Sequence, residues 1–148
     1  MIEMKRLDLD DARVLIEAAA AKAGDIEVPM CIAVADESGN LITFDRMDGA
    51  KISSISIAID KAFTAAAARN RTEFYNQLCV PGEPTFGIHS TNDGRFSVIG
   101  GGVPVVFDDV VVGGVGVSAG TAEQDVVCAE AAVSHFYATS GAAAPGDG

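Results

Sequence analysis

The stretch Val98–Asp125, VIGGGVPVVFDDVVVGGVGVSAGTAEQD, decides how the chain is read. Seven of its 28 residues are glycine, and most of the others are small or β-branched. Such a run can wrap a phosphate at the start of a helix, or it can form strands against which something lies very close. The nucleotide reading fails on spacing. A dinucleotide fingerprint needs G-x-G-x-x-G directly after a strand that opens a βαβ unit. Gly114 and Gly116 fit, but the third position is Ala119, and the stretch closes a meander near the C-terminus. No Gly-Lys-Ser/Thr follows, so a P-loop fails as well. In the strand reading, Gly100-Gly101-Gly102 turns the chain sharply. Gly113, Gly114 and Gly116 weaken a strand unless another backbone or a flat ligand packs on it. Ser118, Gly120 and Thr121 are then expected to offer free amides at a helix N-terminus, where a carboxylate can sit.

Working outward, the spacing predicts strands over 96–99, 103–107 and 110–117, with Asp108-Asp109 as a tight turn between the last two. The stretch from Met30 to Gly49 reads as a hairpin of strands 30–36 and 40–46, turned at Glu37-Ser38-Gly39. Leu7–Asp25 reads as a helix capped by Asp8 or Asp10 and closed by Gly24. In the helix of Lys51–Asn70, Ile52, Ile55, Ile59, Ala62, Phe63 and Ala66 recur at three and four and form the expected core stripe. A neighbouring face of Ile57, Lys61, Thr64, Ala65 and Ala68 is small and mixed, suited to a close subunit contact or a pocket wall. A short helix with Thr72 as its cap, a constrained loop through Pro81, Gly82, Pro84 and Gly87, and a last helix begun by Thr121 and Gln124 complete the order. The result is an α+β chain with a five-stranded, mainly antiparallel sheet covered by helices.

Bulk properties bound the function. A chain of 148 residues fits one domain, here expected over 1–138 with a flexible tail over 139–148. The formal charge is −11, and the nearest basic cluster is only Arg69-Asn70-Arg71. Nucleic acid and anionic membrane surfaces are therefore not expected partners. Cys31, Cys79 and Cys128 are dispersed and form no C-x-x-C, so three reduced thiols and no metal site are expected. The N-terminus lacks an apolar export segment and no apolar run reaches the ~18 residues of a membrane span, which makes the cytoplasm the default.

Five motifs in order, PMCIAVADESGNLITFDRMDGA, IDKAFTAA, PGEPTFGI, IGGGVPV and VVGGVGVSAGTAEQD, carry a family resemblance over roughly residues 5–136. The chain resembles the GlcG/HbpS family, which includes the C-terminal domain of PduO. The resemblance implies a profilin-like three-layer α/β/α fold, homo-oligomers from dimers to octamers, and links to haem, corrinoid-related pathways and small-acid catabolism. Two motifs depart from the family form: PGGP is PGEP here, with Glu83, and Ser-Gly-Gly is Ser118-Ala119-Gly120.

Haem needs an axial donor and cations for its propionates. His89 and His135 are the only histidines; His135 also suits the C-terminal end of a helix dipole. Cys79 lacks the Cys-Pro pattern and reads as a buried thiol. Arg46 and Lys61 match family motif positions. Each is either a carboxylate clamp or an ion-pair partner of Asp45, Asp48, Asp60 or Asp125. The candidate ligand-contacting set is Arg46, Lys61, Phe86, His89, Gly101, Gly116, Ser118, Gly120 and Gln124. Three functions fit: a small-molecule binder for haem or another planar or carboxylate ligand at an oligomer interface; an enzyme isomerising, hydrating or hydrolysing a small organic acid through Lys61 and Asp125; or a ligand-free assembly module.

Overall fold

The computed structural model describes residues 1–141 and 145–146. Helix α1 (Leu9–Asp25) starts at Asp8, whose side chain accepts from the Asp11 amide while Asp11 accepts from the Asp8 amide. Its end is not the expected glycine cap: Ile26 caps it, and Glu27 takes the left-handed turn at φ 59°. Strands β1 (Cys31–Asp36) and β2 (Leu41–Arg46) form the expected hairpin. The turn is organised by Asp36, whose carboxylate accepts from the amides of Ser38 and Asn40 at 2.9 and 3.0 Å. Helix α2 (Ser54–Ala67) follows, then three 3-10 turns at Thr72–Tyr75, Ile88–Ser90 and Asn92–Gly94. Strands β3 (Gly102–Phe107) and β4 (Val110–Ser118) pair around Asp108 and Asp109, both at positive φ as a tight hairpin turn requires. A bulge at Val105/Val106 frees the Val106 amide, which donates to the Tyr137 hydroxyl at 3.0 Å. Helix α3 (Ala122–Ser140) closes the fold and reaches two residues into the expected tail. The rest of that tail includes 142–144 and 147–148, which lie outside the described residues.

The sheet has four strands, not five, in the antiparallel order β2-β1-β4-β3. The expected strand over 96–99 does not form, and side chains engage part of its backbone instead. The Ser97 amide donates to the Thr64 hydroxyl, Asn76 donates to the Val98 carbonyl, and the Thr72 hydroxyl donates to the Ile99 carbonyl. These side-chain contacts engage three of the backbone groups that a neighbouring strand would otherwise take. Thr72 also accepts from the Gly102 amide at 2.9 Å, so its hydroxyl clasps the Gly100-Gly101 corner rather than capping a helix.

The two faces of the sheet differ in side-chain size. On one face, Ile32, Val34, Val115 and Val117 pack with α1 and α3. On the other, Cys31, Ala33 and Ala35 meet Ala58 and Ala62 of α2. Strand β4 alternates Gly114-Val115-Gly116-Val117, and alternate residues of a strand face opposite ways. Its glycine side receives α2 so closely that a Cβ on Gly114 would stand 2.6 Å from the Ala62 carbonyl oxygen. A Cβ on Gly116 would collide with the Ala58 carbonyl and the Ala62 amide. The glycines therefore admit a backbone of the same chain. The expected isoleucine stripe of α2 is corrected accordingly: Ala62 and Ala66 are buried, Ile55 and Ile59 are half-buried, and Ile52 is 74% exposed. Of the expected small face, Lys61, Thr64 and Ala65 are buried, together with Ala58, while Ile57 is exposed and Ala68 half-buried. Adding one methyl group by Gly116→Ala is expected to destabilise the fold by about 3 kcal/mol through overpacking. Thermal or urea unfolding checks this; an unchanged midpoint would contradict the backbone-on-backbone contact.

Candidate functional site

One end of the sheet collects several of the residues singled out by sequence. Cys31, at the start of β1, stands opposite Arg46 of β2 on one side and Ser118 of β4 on the other. Directly paired residues of neighbouring strands share a face, so Arg46 and Ser118 flank Cys31 on the α2 side. Cys31 is fully buried, its Sγ 3.8 Å from the Lys51 carbonyl oxygen. Burial pushes its thiol pKa up, and the Arg46 cation opposes that. Arg46 is exposed, and among the described residues neither it nor Lys51 has a carboxylate within ion-pair distance. In a chain of net charge −11 such free cations are notable for what they leave available.

Lys61 has the other fate weighed for it. Its Nζ lies 2.9 Å from Asp125 Oδ2 and donates to the Val117 carbonyl at 2.9 Å. Asp125 Oδ1 accepts from the Gly120 amide at 2.9 Å. The two side chains are only 1% and 4% exposed. Burial lowers the pKa of the Lys61 ammonium, while the Asp125 carboxylate works in the opposite direction. The pair joins α2, the end of β4 and the start of α3. Gly101 makes room for it at φ 127°: a Cβ there would stand 2.5 Å from the Val117 carbonyl oxygen and 2.8 Å from Lys61 Nζ.

The start of α3 is closed on itself, which corrects the expectation of free amides. Thr121 accepts from the Gln124 amide and Gln124 accepts from the Thr121 amide, while the Gly120 amide is held by Asp125. Gly120 is hemmed in by Gln124 and Met30. Ala119 sits at φ 125°, where glycine is favoured, at the position where the family form Ser-Gly-Gly has one.

Phe86 and His89 lie elsewhere, Phe86 in the loop between the first two 3-10 turns and His89 within the second of them. Phe86 is 62% exposed. His89 is exposed, and its Nδ1 lies 3.0 Å from Cys79 Sγ. Cys79 is half-buried rather than buried, and the sequence reading missed its pairing with His89. The available signal was the loop itself, where two prolines and two glycines within ten residues fold the chain back. His135 is exposed on α3. Among the described residues no group of three or more His, Cys, Asp or Glu could hold a metal ion, and no helix is long and apolar enough to cross a membrane. Three clefts of about 340, 470 and 790 Å³ are lined by other residues. Of the candidate residues, Arg46, Phe86 and His89 are exposed, while Lys61, Ser118 and Asp125 are buried.

Comparison with known proteins adds the following. The family described as "Haem degrading protein HbpS-like" matches residues 7–134. An uncharacterised 15.0 kDa protein from the dhaT-dhaS intergenic region of Citrobacter freundii is 38% identical over 134 residues, 90% of this chain and 94% of that protein. The crystal structure of ORFY from Klebsiella pneumoniae has a TM-score of 0.91 at 36% identity, covering 93% of this chain and 95% of that one. The PduOC:heme complex has a TM-score of 0.84 at 31% identity, covering 88% of this chain and 94% of that one.

Removing one member of the buried pair, by Lys61→Met or Asp125→Asn, is expected to cost about 3–5 kcal/mol, because it strands the other. The double replacement Lys61→Met/Asp125→Asn is expected to cost less than the sum. Urea unfolding of the three variants closes the cycle, and additive losses would mean the two groups do not act together.

Proposed function

The chain belongs to the HbpS-like family, and on that premise we propose that it is a small-molecule-binding protein whose ligand is of the haem class. The observation that carries this reading is the likeness to the PduOC:heme complex, at 31% identity and a TM-score of 0.84.

The loop that carries His89 and Phe86 fits the iron and the ring of such a group. Haem iron takes an imidazole nitrogen, and a ligating histidine commonly engages its second nitrogen with a neighbour that orients the ring. His89 has that form: Nδ1 faces Cys79 Sγ, which leaves Nε2 of an exposed ring for an outside partner. Phe86 and Val80, 62% and 41% exposed, offer apolar surface on the same loop. Bound haem supplies an iron centre open to further ligation. The chain supplies the donor, the apolar wall and cations. Arg46, free of any acidic partner among the described residues and flanking Cys31 opposite Ser118, is suited to a carboxylate of the ligand or of a smaller planar acid. Because these residues stand on open surface, the reading assigns part of the enclosure to a second protomer. Gly101, Gly116, Gly120 and Gln124 serve it by shaping the frame, since each is engaged in internal packing or capping.

The enzyme reading, with Arg46 holding a small acid while Lys61 and Asp125 move protons, has less support. Those two side chains are enclosed and hold each other and the backbone. A general acid or base must reach the proton it transfers.

Titration with haemin, followed by its absorption band, tests the proposal. The protein is expected to shift the band. His89→Ala is expected to weaken binding at least about tenfold, or ~1.4 kcal/mol, and to change the band position. Arg46→Ala is expected to weaken binding roughly tenfold, the loss of one charge-assisted contact, with the band position kept. A protein that leaves the haemin spectrum unaltered would end the haem assignment.

A further inference from the structure

We propose that Cys79 is a site of thiol–disulfide modification, with His89 as the base that takes its proton and a low-molecular-weight disulfide as the co-reactant. The inference rests on the loop geometry and does not depend on the haem reading.

The three cysteines occupy different surroundings. Cys31 and Cys128 are 0% exposed. Burial raises the pKa of both thiols, and the charge of Asp125 adds to this at Cys128, whose thiol is pushed up to about 11. Neither can meet a solute in the folded chain. Cys79 is partly open to solvent, and its sulfur lies 3.0 Å from His89 Nδ1. A thiolate is the nucleophilic form of cysteine, and an adjacent imidazole is a recurrent means of producing it.

The loop is built to hold this pair. The Cys79 amide donates to the Tyr75 carbonyl at 3.0 Å, which fixes the sulfur to the end of a 3-10 turn. The Thr85 hydroxyl donates to the Leu78 carbonyl at 2.8 Å, folding the second half of the loop back on the first. Gly82 and Gly87 sit at φ 91° and 88° with no atom near enough to crowd a side chain, so it is the backbone turn that requires glycine there. The Ile88 amide donates to the Thr85 carbonyl and begins the turn that presents His89. Ten residues apart in sequence, the sulfur and the imidazole are brought together by successive turns.

The step balances. The thiol proton passes from Cys79 Sγ to His89 Nδ1. The thiolate attacks one sulfur of the disulfide, a new S–S bond forms, and the old one breaks. The other half leaves as a thiolate and takes the proton from the imidazolium. Protein thiol plus disulfide gives mixed disulfide plus free thiol, with no outside oxidant.

Glutathione disulfide is the probe. The folded protein is incubated with it at neutral pH, quenched in acid, digested, and each cysteine's adduct is followed by mass spectrometry over time. The adduct is expected on Cys79, with Cys31 and Cys128 unmodified until denaturant is added. His89→Ala is expected to slow modification of Cys79 at least about tenfold in the folded protein. His89→Gln, which keeps a polar side chain without the base, is expected to show the same loss. In denaturant, all three proteins are expected to react at one rate. Equal rates for the folded parent and both variants would overturn the role of His89. A Cys79 that stays free, or a Cys31 or Cys128 that reacts as fast, would overturn the site.

Discussion

What the fold depends on is an absence of side chains between α2 and β4. Helices usually meet sheets through interlocking apolar side chains. Here Gly114 and Gly116 present bare backbone, and Ala58, Ala62 and Ala66 bring the helix down onto it. The larger residues of the same strands, Val115, Val117, Ile32 and Val34, are turned to the other face, where α1 and α3 cover them. The three layers are thus asymmetric by composition. One interface is filled by branched side chains, and the other is made by removing them.

That close approach has a further effect on charge. Lys61 follows the helix down to the sheet, and its ammonium arrives where solvent does not. It is held there by Asp125, the Val117 carbonyl and, through Asp125, the Gly120 amide. An uncompensated buried charge is costly, so the pair constrains how the start of α3 meets the end of β4. The glycines at 101 and 120 belong to the same arrangement, since both stand against members of the pair or their neighbours.

The sequence is most legible where the physics is local. The capping residues Asp8 and Thr121 act on amides three positions away, and the Asp108-Asp109 turn is set by two adjacent residues, so spacing alone reveals them. The order of helices and paired strands follows from alternation and helix period, whereas the three layers were implied by the family resemblance. The missing fifth strand was not legible, because what replaces its partner is a set of side chains, Thr64, Thr72 and Asn76, placed by tertiary contacts. The buried face of α2 was misjudged because hydrophobicity pointed to the isoleucines, whereas available space selected the small residues. In the site, the Lys61–Asp125 pair stood among the alternatives that residue types permit, although 64 positions separate the two. The Cys79–His89 pair needed the loop to fold back before it existed at all.

The side-chain-free contact under α2 also changes how this molecule answers mutational surveys. An alanine scan measures what is lost when atoms are taken away, and at Ala58, Ala62, Gly114 and Gly116 there is almost nothing to take. Such a scan leaves Ala58 and Ala62 unchanged and registers this interface only at Gly114 and Gly116, where alanine adds a methyl group against the helix backbone. The sensitivity runs in the other direction, toward gained atoms. Tolerance maps of this chain therefore need to be read by the sign of the volume change, with the tightest sites being those that carry the least.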